Sequence, residues 1–432
     1  MILAMARELR KRRISSAELV AESLKKIDEQ NPKLNAFITV MGDAARARAV
    51  AMDAELAEGA DRGPLHGIPI ALKDLFYTKG VRTTAGSKVF ADFVPEFDAD
   101  VVVKLEAAGA VVVGKTGLHE FAYGVTSNNP HFGPVRNPHD TECIPGGSSG
   151  GSGAAVAAGI VPMAMGTDTG GSIRIPASFC GCVGLKPTFG RVSKRGVFPL
   201  GFTLDHMGPL AATTADCAVT LNALAGMDLD PSANDIRGLR IGRPENYFFE
   251  RVDPEVAAAV EEALRVLEAR GARVVPVRVP DVNELNAVAR MILLAEASAA
   301  HEAHWEKRDQ YGADVLALID QGRLLPATDY VQGQRLRRKI LREFNKLWAE
   351  VDCWVSPTTP TVAPKIGQTT IDIAGVADDV RLATTRFMRG INVLGYPALS
   401  VPCGKNHAGM PIGMQIVGPA NREDVVLRVG NG

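Results

Sequence analysis

The first 60 residues carry apolar positions at helical spacing. Ser15 and Glu18 form a capping-box pair. The apolar and small residues that follow are three and four positions apart, at Leu19, Val20, Ser23, Leu24 and Ile27. This pattern predicts a helix that ends near Asn31-Pro32, because a residue that precedes proline avoids the helical region. The alanine-rich stretch 43–58 predicts a second helix.

Beyond Gly67, short β-branched runs alternate with further helical stretches. Strands are predicted at 68–72, 110–113, 274–279, 353–356 and 399–402. Helices are predicted at 98–108 and 253–271, and helical, more polar sequence continues to Arg342. This alternation is typical of α/β layer architectures. Since no long linker or internal repeat divides the chain, we expect one large domain over residues 1–432.

Residues 146–190 interrupt this pattern with a high density of glycine and serine. The run Gly146-Gly-Ser-Ser-Gly-Gly-Ser152 is followed by the run Gly166-Thr-Asp-Thr-Gly-Gly-Ser-Ile-Arg174. Glycine lets backbone N–H groups converge on one point, at an entropic cost that a purely structural segment has little reason to bear. The segment is therefore the first candidate for a functional site.

The composition narrows the class of protein. Hydrophobic residues make up 46% and charged residues 22% of the 432 positions, as in ordinary globular proteins. A net charge of −1 gives no general attraction to nucleic acid or to an anionic membrane. No apolar run approaches the roughly 20 residues that span a bilayer. The six cysteines lack regular spacing, so we expect reduced thiols, a cytoplasmic location and no metal site.

Two short strings match known motifs, but their surroundings argue against both. Gly109-Ala-Val-Val-Val-Gly-Lys-Thr116 has P-loop spacing, yet its valines should form a strand where an open phosphate-binding loop is needed. Gly146-Gly-Ser-Ser-Gly150 has the spacing of a nucleophile elbow, yet 141–145 makes a poor preceding strand. A P-loop-like nucleotide binder is kept as the alternative from another class of protein.

Together, the motifs resemble those of the amidase signature family. Lys73 follows the apolar run 68–72, Ser148 lies in the first glycine-serine run, and Ser172 lies in the second. The resemblance covers most of the chain through the segments 73–74, 83–87, 114–116, 133–138, 184–187, 395–398 and 409–413. It is weakest between about 240 and 350. The ordered set is specific, whereas one glycine-serine run would not be.

The resemblance implies an α/β fold in one domain, with a mixed, twisted central sheet covered by helices on both faces. Its parts would be a helical N-terminal part (1–60), a catalytic core (67–230), a variable and mainly helical part (240–350) and a C-terminal part that completes the sheet (351–432).

A serine hydroxyl is a poor nucleophile until a base removes its proton. Neither serine segment contains a histidine, so Lys73 is the nearest plausible base, and Ser–Lys variants of the triad exist. An ordinary lysine has a pKa of about 10.4, so neutrality near pH 7 requires that pKa to fall by roughly 3 units, or on the order of 4 kcal/mol. Burial behind the strand 68–72, among hydroxyls and away from carboxylates, would have this effect.

The resemblance assigns the reacting groups. Ser172 would be the nucleophile that forms the acyl-enzyme. Ser148, which follows a cis peptide bond in the family, would relay the proton to Lys73 and later to the leaving amine. The backbone N–H groups of the oxyanion hole would come from Thr169, Gly170, Gly171 and Ser172.

Neighbouring residues are expected to support these groups. Asp168 and Arg174 should pair and hold the Ser172 segment, and Ser149 should hydrogen-bond to Lys73 or Ser148. In the family, the loop after 120–124 contacts the acyl group, which makes the candidate substrate residues Tyr123, Gly124, Val125 and Thr126.

No metal or organic cofactor is implied, and the expected partner is a small-molecule amide, with a homodimer as the further assembly considered. Arg386 and Arg389 are expected on a helix surface rather than beside an anionic substrate.

Two roles within the family are open, a stand-alone amidase and the glutaminase (A) subunit of the glutamyl-tRNA(Gln) amidotransferase. That subunit binds glutamine through an arginine and an acidic residue that precedes its Asn-x-x-Gly-x-Pro-Ala run. Here the run is Asn392-Val-Leu-Gly-Tyr-Pro-Ala398, and no carboxylate occurs in the preceding stretch 384–389. The chain also ends soon after 422–424, which is short for that subunit. Both departures favour a stand-alone amidase, with esterase activity beside it because esters share the acyl-enzyme route.

Overall fold

A computed structural model describes all 432 residues, and an 11-stranded mixed sheet runs through the centre of the single domain. The strands are β1 (Phe37–Val40), β2 (Pro69–Lys73), β3 (Val111–Thr116), β4 (Asn128–Asn129), β5 (Gly133–Pro134), β6 (Met163–Asp168), β7 (Val183–Lys186), β8 (His206–Ala211), β9 (Arg240–Pro244), β10 (Arg273–Val277), β11 (Cys353–Pro357), β12 (Thr370–Ile373), β13 (Val376–Asp379), β14 (Ala398–Lys405) and β15 (Pro411–Val417). The central sheet has the order β1-β3-β2-β6-β8-β7-β14-β15-β11-β9-β10, while β4–β5 and β12–β13 form two small hairpin sheets. Strands β2, β3 and β6 are parallel, and β6, β8 and β7 pair in antiparallel fashion.

Fourteen α-helices surround the sheet. They are α1 (Ile2–Arg10), α2 (Ser16–Leu34), α3 (Gly42–Ala57), α4 (Asp100–Ala107), α5 (Gly150–Ala157), α6 (Arg174–Cys180), α7 (Thr214–Ala225), α8 (Pro254–Ala269), α9 (Val282–Ala300), α10 (Ala313–Arg323), α11 (Ala327–Asn345), α12 (Val380–Thr385), α13 (Arg389–Leu394) and α14 (Glu423–Asn431). No helix combines the length and the apolar composition needed to cross a bilayer. All six cysteines are unpaired.

The two-residue period of β2 assigns its side chains to opposite faces of the sheet. Ile70 and Leu72 join the apolar core that contains α4, α7 and α8, whereas Ala71 joins the core that contains α2, α3 and α5. Because both faces of this strand are covered, every one of its residues is buried. The same period places Lys73 on the face of Ala71, which is the face that carries α5.

A third core packs helices α9 to α11 against the C-terminal part of the sheet. Leu285, Ile292 and Val315 from these helices share it with Phe387 and Trp354. These helices therefore form a wall beside the segment that leads into α12 and α13.

Most of the predicted elements are confirmed, with shifts at their ends. Helix α2 begins with the predicted Ser15–Glu18 capping box but continues past Pro32 to Leu34. It can do so because proline in the last turn costs few backbone hydrogen bonds, and Asn35 closes the helix in the left-handed conformation. Strand β3 extends beyond the predicted 110–113 to Thr116.

The extension of β3 shows that the P-loop interpretation is wrong. Lys115 is fully buried within the strand, where it donates to the Phe76 carbonyl and the Thr83 hydroxyl, both at 2.8 Å. Its ammonium also pairs with the buried carboxylate of Asp74 at 3.2 Å. A lysine committed to these partners inside a sheet cannot reach a phosphate, so the string 109–116 is a structural strand.

Candidate active site

Lys73 is the last residue of β2, and its side chain is completely buried. Its ammonium nitrogen Nζ lies 2.7 Å from Ser148 Oγ and 2.7 Å from Thr167 Oγ1. No carboxylate forms an ion pair with it. Burial lowers the pKa of Lys73 from 10.5 to about 7, although the more distant charges of Asp205 and Asp168 act in the opposite direction. The amine can therefore be neutral near neutral pH.

Ser148 and Ser149 precede α5 in the first glycine-serine run, and both are fully buried. The peptide bond between Gly147 and Ser148 is cis, as the resemblance implies. Ser149 does not bond to Lys73 or Ser148. Its hydroxyl instead donates to the Thr167 carbonyl and accepts from the Thr167 N–H, both at 3.2 Å. Because Thr167 in turn contacts Lys73, Ser149 fixes the strand end that the amine faces.

Ser172 lies in the second run, in residues 168–174, which we call the Ser172 loop. The Ser149 N–H donates to the Ser172 carbonyl at 3.2 Å, so the two serine segments are directly adjacent. The Ser172 hydroxyl has no hydrogen-bond partner within the chain, and no hydrogen bond joins it to Ser148. The residue is 6% exposed and lines the adjoining cavity.

The backbone of the Ser172 loop presents free donors. The N–H groups of Thr169, Gly170 and Ser172 have no partner within the chain. Gly171 differs from the expectation, since its N–H donates to Asp168 at 2.8 Å and is thus already engaged. Gly171 has φ +123°, a conformation that a side chain disfavours, and a Cβ there would lie 3.0 Å from Ile175 Cδ1. The loop therefore offers three available donors rather than four.

A buried ion pair holds this loop in place. Arg174 donates through Nε and Nη2 to the two carboxylate oxygens of Asp168, at 3.0 and 2.9 Å. Arg174 also donates through Nη1 to Gln415 at 2.6 Å and through Nη2 to Asn392 at 2.7 Å, so the pair is tied to a distant strand and a distant helix. Burial opposes ionisation of Asp168, but the charge and hydrogen bonds of Arg174 outweigh it and hold the pKa of this carboxyl well below its ordinary value.

Asp205 fixes the first residue of the turn. The Thr169 hydroxyl donates to Asp205 at 2.6 Å, and the N–H groups of Leu200 and Gly201 donate to the same carboxylate at 3.0 Å. Burial raises the pKa of Asp205, while these hydrogen bonds act against the increase. The side chain of Thr169 is thus committed to the scaffold, while its backbone N–H has no partner within the chain and the residue lines the cavity.

A narrow cavity leads to Ser172. Of the four candidate substrate residues, Tyr123, Gly124 and Val125 line it, whereas Thr126 lies outside it and hydrogen-bonds to His119 at 3.2 Å. Only glycine fits at position 124, because a Cβ there would lie 2.2 Å from the His119 ring. Arg381 and Arg389 line the same cavity, so the expectation that Arg389 lies on a helix surface is wrong.

Sequence reasoning missed several residues that complete the site. Thr167 contacts Lys73 because β2 and β6 pair in register, Leu72 with Met165, and strand register is invisible in an isolated sequence. Asp205 reaches the Ser172 loop from a distant segment with no motif that singles it out. Asn392 opens the Asn-x-x-Gly-x-Pro-Ala run, but the run alone does not indicate its contact with Asp168. No group of three or more His, Cys, Asp or Glu side chains could hold a metal ion.

Known proteins resemble this chain over nearly its whole length. The family described as Amidase matches residues 18–427. The A subunit of the glutamyl-tRNA(Gln) amidotransferase of Geobacter metallireducens is 39% identical, covering 98% of this chain and 94% of the relative.

Solved structures agree with this likeness. An amidase crystal structure is 36% identical with a TM-score of 0.94, covering 100% of this chain and 98% of the other. A structure from work on a vestigial protein complex and the origins of an s-triazine catabolic enzyme is 37% identical, also with a TM-score of 0.94, covering 99% and 96% of the two chains.

The substitution Lys73→Met tests, by a stability measurement that needs no turnover, whether the amine is kept away from water. The pKa of Lys73 is about 7 in the folded chain but about 10.4 in an unfolded one, so the unfolded chain binds more protons between these pH values. The wild-type free energy of unfolding should therefore gain about 2–3 kcal/mol relative to Lys73→Met from about pH 7 to pH 9.

Urea unfolding of both proteins over this pH range measures the difference. Lys339→Met, which removes an exposed lysine of α11, is the matched control and should show no such gain. A wild-type-minus-Lys73→Met difference that stays constant with pH would mean that the amine at position 73 is hydrated.

Proposed function

The chain belongs to the amidase (amidase signature) family and hydrolyses amide bonds, and from that premise we propose that Lys73, Ser148 and Ser172 form its Ser-Ser-Lys triad. The observation that carries the proposal is the 2.7 Å hydrogen bond between the buried Lys73 amine and Ser148 Oγ. A lysine with a pKa of about 7 is matched to the pH at which it would work as a base.

In the proposed acylation step, neutral Lys73 takes the proton of Ser148, and Ser148 takes the proton of Ser172. The oxygen of Ser172 attacks the carbonyl carbon of the amide and forms a C–O bond. The missing Ser148–Ser172 hydrogen bond is compatible with this relay, because such bonds often form only once substrate is bound. The side of Ser172 that faces the cavity gives the amide its access.

Negative charge on the carbonyl oxygen would be stabilised by the free N–H groups of Thr169, Gly170 and Ser172. Each donor of this kind is worth about 3 kcal/mol in the transition state. The engaged N–H of Gly171 stays with Asp168 and keeps the loop in shape. Fixed donors need no reorganisation during the reaction, and the Asp168–Arg174 and Thr169–Asp205 contacts provide that rigidity.

The leaving nitrogen takes the proton that Lys73 holds, delivered through Ser148, as the C–N bond breaks. Ammonia or an amine departs, and the acyl group remains as an ester on Ser172. Water then attacks this ester with the same base, giving the carboxylic acid and the free serine. Esters enter the same route with a better leaving group, so we propose that they are cleaved as well.

We further propose that the chain acts as a stand-alone amidase on small molecules. A second candidate is the glutaminase role, because the Geobacter metallireducens relative carries the name of an amidotransferase A subunit. In the stretch 384–389, the residues that line the cavity are Thr385 and Arg389, and neither supplies the negative charge that would hold the ammonium of glutamine. The free state of all six cysteines supports a reducing, cytoplasmic location.

Substitution of the three proposed residues is the first test. Ser172→Ala should abolish amide hydrolysis and labelling by a fluorophosphonate probe, and Lys73→Ala and Ser148→Ala should slow acylation by about 10³-fold or more. Ser152→Ala is the matched control, since this hydroxyl lies in the same run but bonds to the Met165 carbonyl. It should retain activity within a few-fold. Undiminished turnover by Ser172→Ala would refute the assignment.

The pH dependence of kcat/KM tests the base. Only the neutral amine of Lys73 can accept a proton, so the rate on an uncharged amide should rise with pH to a plateau, with a midpoint near 7. A midpoint near 10 would indicate a solvated lysine, and a rate that falls through pH 7 would indicate an acid in its place. Initial rates of ammonia release over a buffered pH series provide the measurement.

The rate of glutamine hydrolysis distinguishes a stand-alone amidase from a glutaminase. We expect the isolated chain to release ammonia from a simple aliphatic or aryl amide with a kcat/KM at least about ten times higher than from glutamine. The reason is that burial of the glutamine ammonium without a partner costs more free energy than one hydrogen bond contributes. Ammonia release from both substrates, measured under identical conditions, decides the matter. Efficient hydrolysis of glutamine would favour the glutaminase role.

A further inference from the structure

Two arginines stand in the cavity beside Ser172 without a carboxylate partner. Arg389 lies against the Ser172 loop, since a methyl group built on Gly170 would be 3.9 Å from its Nε. Its one hydrogen bond goes to the Thr385 hydroxyl at 2.8 Å. The Arg381 guanidinium has no hydrogen bond within the chain, and its central carbon lies 5.7 Å from the centre of the Tyr123 ring.

The charges around these arginines do not balance. A larger cavity of about 230 Å³ adjoins the narrow one and shares Arg381 and Arg389 with it, and this cavity adds a third cation, Arg290. Arg290 has a 3.5 Å contact with the neutral Gln321. The single acidic residue on this wall is Asp379, whose carboxylate accepts from the Leu382 N–H at 2.9 Å as the cap of α12.

An unpaired guanidinium in a sheltered site is unfavourable unless an anion joins it. Burial and the nearby charge of Arg381 lower the pKa of Arg389 to about 10, which still leaves it charged at neutral pH. Elsewhere in the chain, the buried guanidinium of Arg174 has its carboxylate and two amide partners. The contrast between Arg174 and Arg389 indicates that the anion that pairs with Arg389 is part of the substrate.

We propose that the substrate is an amide whose acyl group carries a second carboxylate, which pairs with Arg389 and Arg381 while its amide carbonyl meets Ser172. This inference rests on the proposed role of Ser172. Arginine suits the task because its planar fork donates two hydrogen bonds to one carboxylate. The small cavity next to Ser172, about 30 Å³, admits a slim amide group, and the 230 Å³ space accepts a short chain.

The substrate class is thus the monoamide of a short dicarboxylic acid. Hydrolysis would convert it to the dicarboxylate and ammonia, with the acyl group held on Ser172 between the two steps. Glutamine is a poor member of this class, because its α-ammonium would enter a wall with three cations and one acidic side chain. Glutaramate, which differs from glutamine by the absence of that ammonium, should be preferred.

The test compares glutaramate with pentanamide, which has a methyl group in place of the carboxylate, and with glutamine. We expect the wild-type kcat/KM to be highest for glutaramate. Arg389→Gln and Arg381→Gln should each lower it about 10- to 100-fold for glutaramate, the range for one hydrogen bond to a charged group, and change it less than about 3-fold for pentanamide. Arg386→Gln is the matched control.

Arg386 belongs to the same segment, but its guanidinium lies over the rings of Tyr247 and Phe387, outside the cavity. Its substitution removes the same charge and should leave the ratio of the two kcat/KM values unchanged. A loss of folding stability in any variant would reduce both rates together, so that the ratio still reports on the carboxylate.

A wild-type enzyme that hydrolyses pentanamide as well as glutaramate, or a preference that survives Arg389→Gln, would overturn the inference and leave the role of Ser172 intact. Calorimetric binding of glutarate needs no turnover. Binding that is lost in Arg389→Gln and retained in Arg386→Gln would support the anion site even if fluorophosphonate fails to label Ser172, and labelling failure would count against the proposed function alone.

Discussion

The site depends on a lysine side chain that is kept away from water. Lys73 ends a strand covered on both faces, and its amine meets two hydroxyls and no ion-pair partner. The two hydroxyls allow burial to lower the pKa of the amine, since they hydrogen-bond to it without stabilising its charge as a carboxylate would. Lys115, one strand away and equally buried, pairs with Asp74 and is therefore a structural cation. The two lysines therefore differ in their partners and not in their depth of burial.

A second constraint is the rigidity of the loop around Ser172. Three of its backbone N–H groups are unpartnered, its glycine at 171 has a left-handed backbone, and its shape is held by the Asp168–Arg174 pair and by Asp205. An open turn with free N–H groups is unfavourable by itself, so the surrounding ion pair and hydrogen bonds must compensate. The scaffold thus stabilises a turn that its own backbone would not maintain.

Much of this arrangement could be predicted from sequence, for identifiable reasons. The strand 68–72, the capping box at Ser15 and the helix α8 follow local periodicity, and the ordered glycine-serine runs indicate the family. The contacts of Thr167 and Asp205 could not be predicted, because they depend on strand register and on loops that meet only in the folded chain. The place of Arg389 in the cavity could not be predicted either, since helical spacing alone does not say which side of α13 faces a cavity.

The partners of Arg174 are synthesised much later than Arg174 itself. Gln415 lies 241 positions beyond it in the sequence, on β15, and Asn392 lies 218 positions beyond. A ribosome therefore releases Ser172, Ser148 and Lys73 long before the side chains that lock the loop exist. The loop around Ser172 can therefore reach its final set of contacts only after the antiparallel strands β14 and β15 have been synthesised.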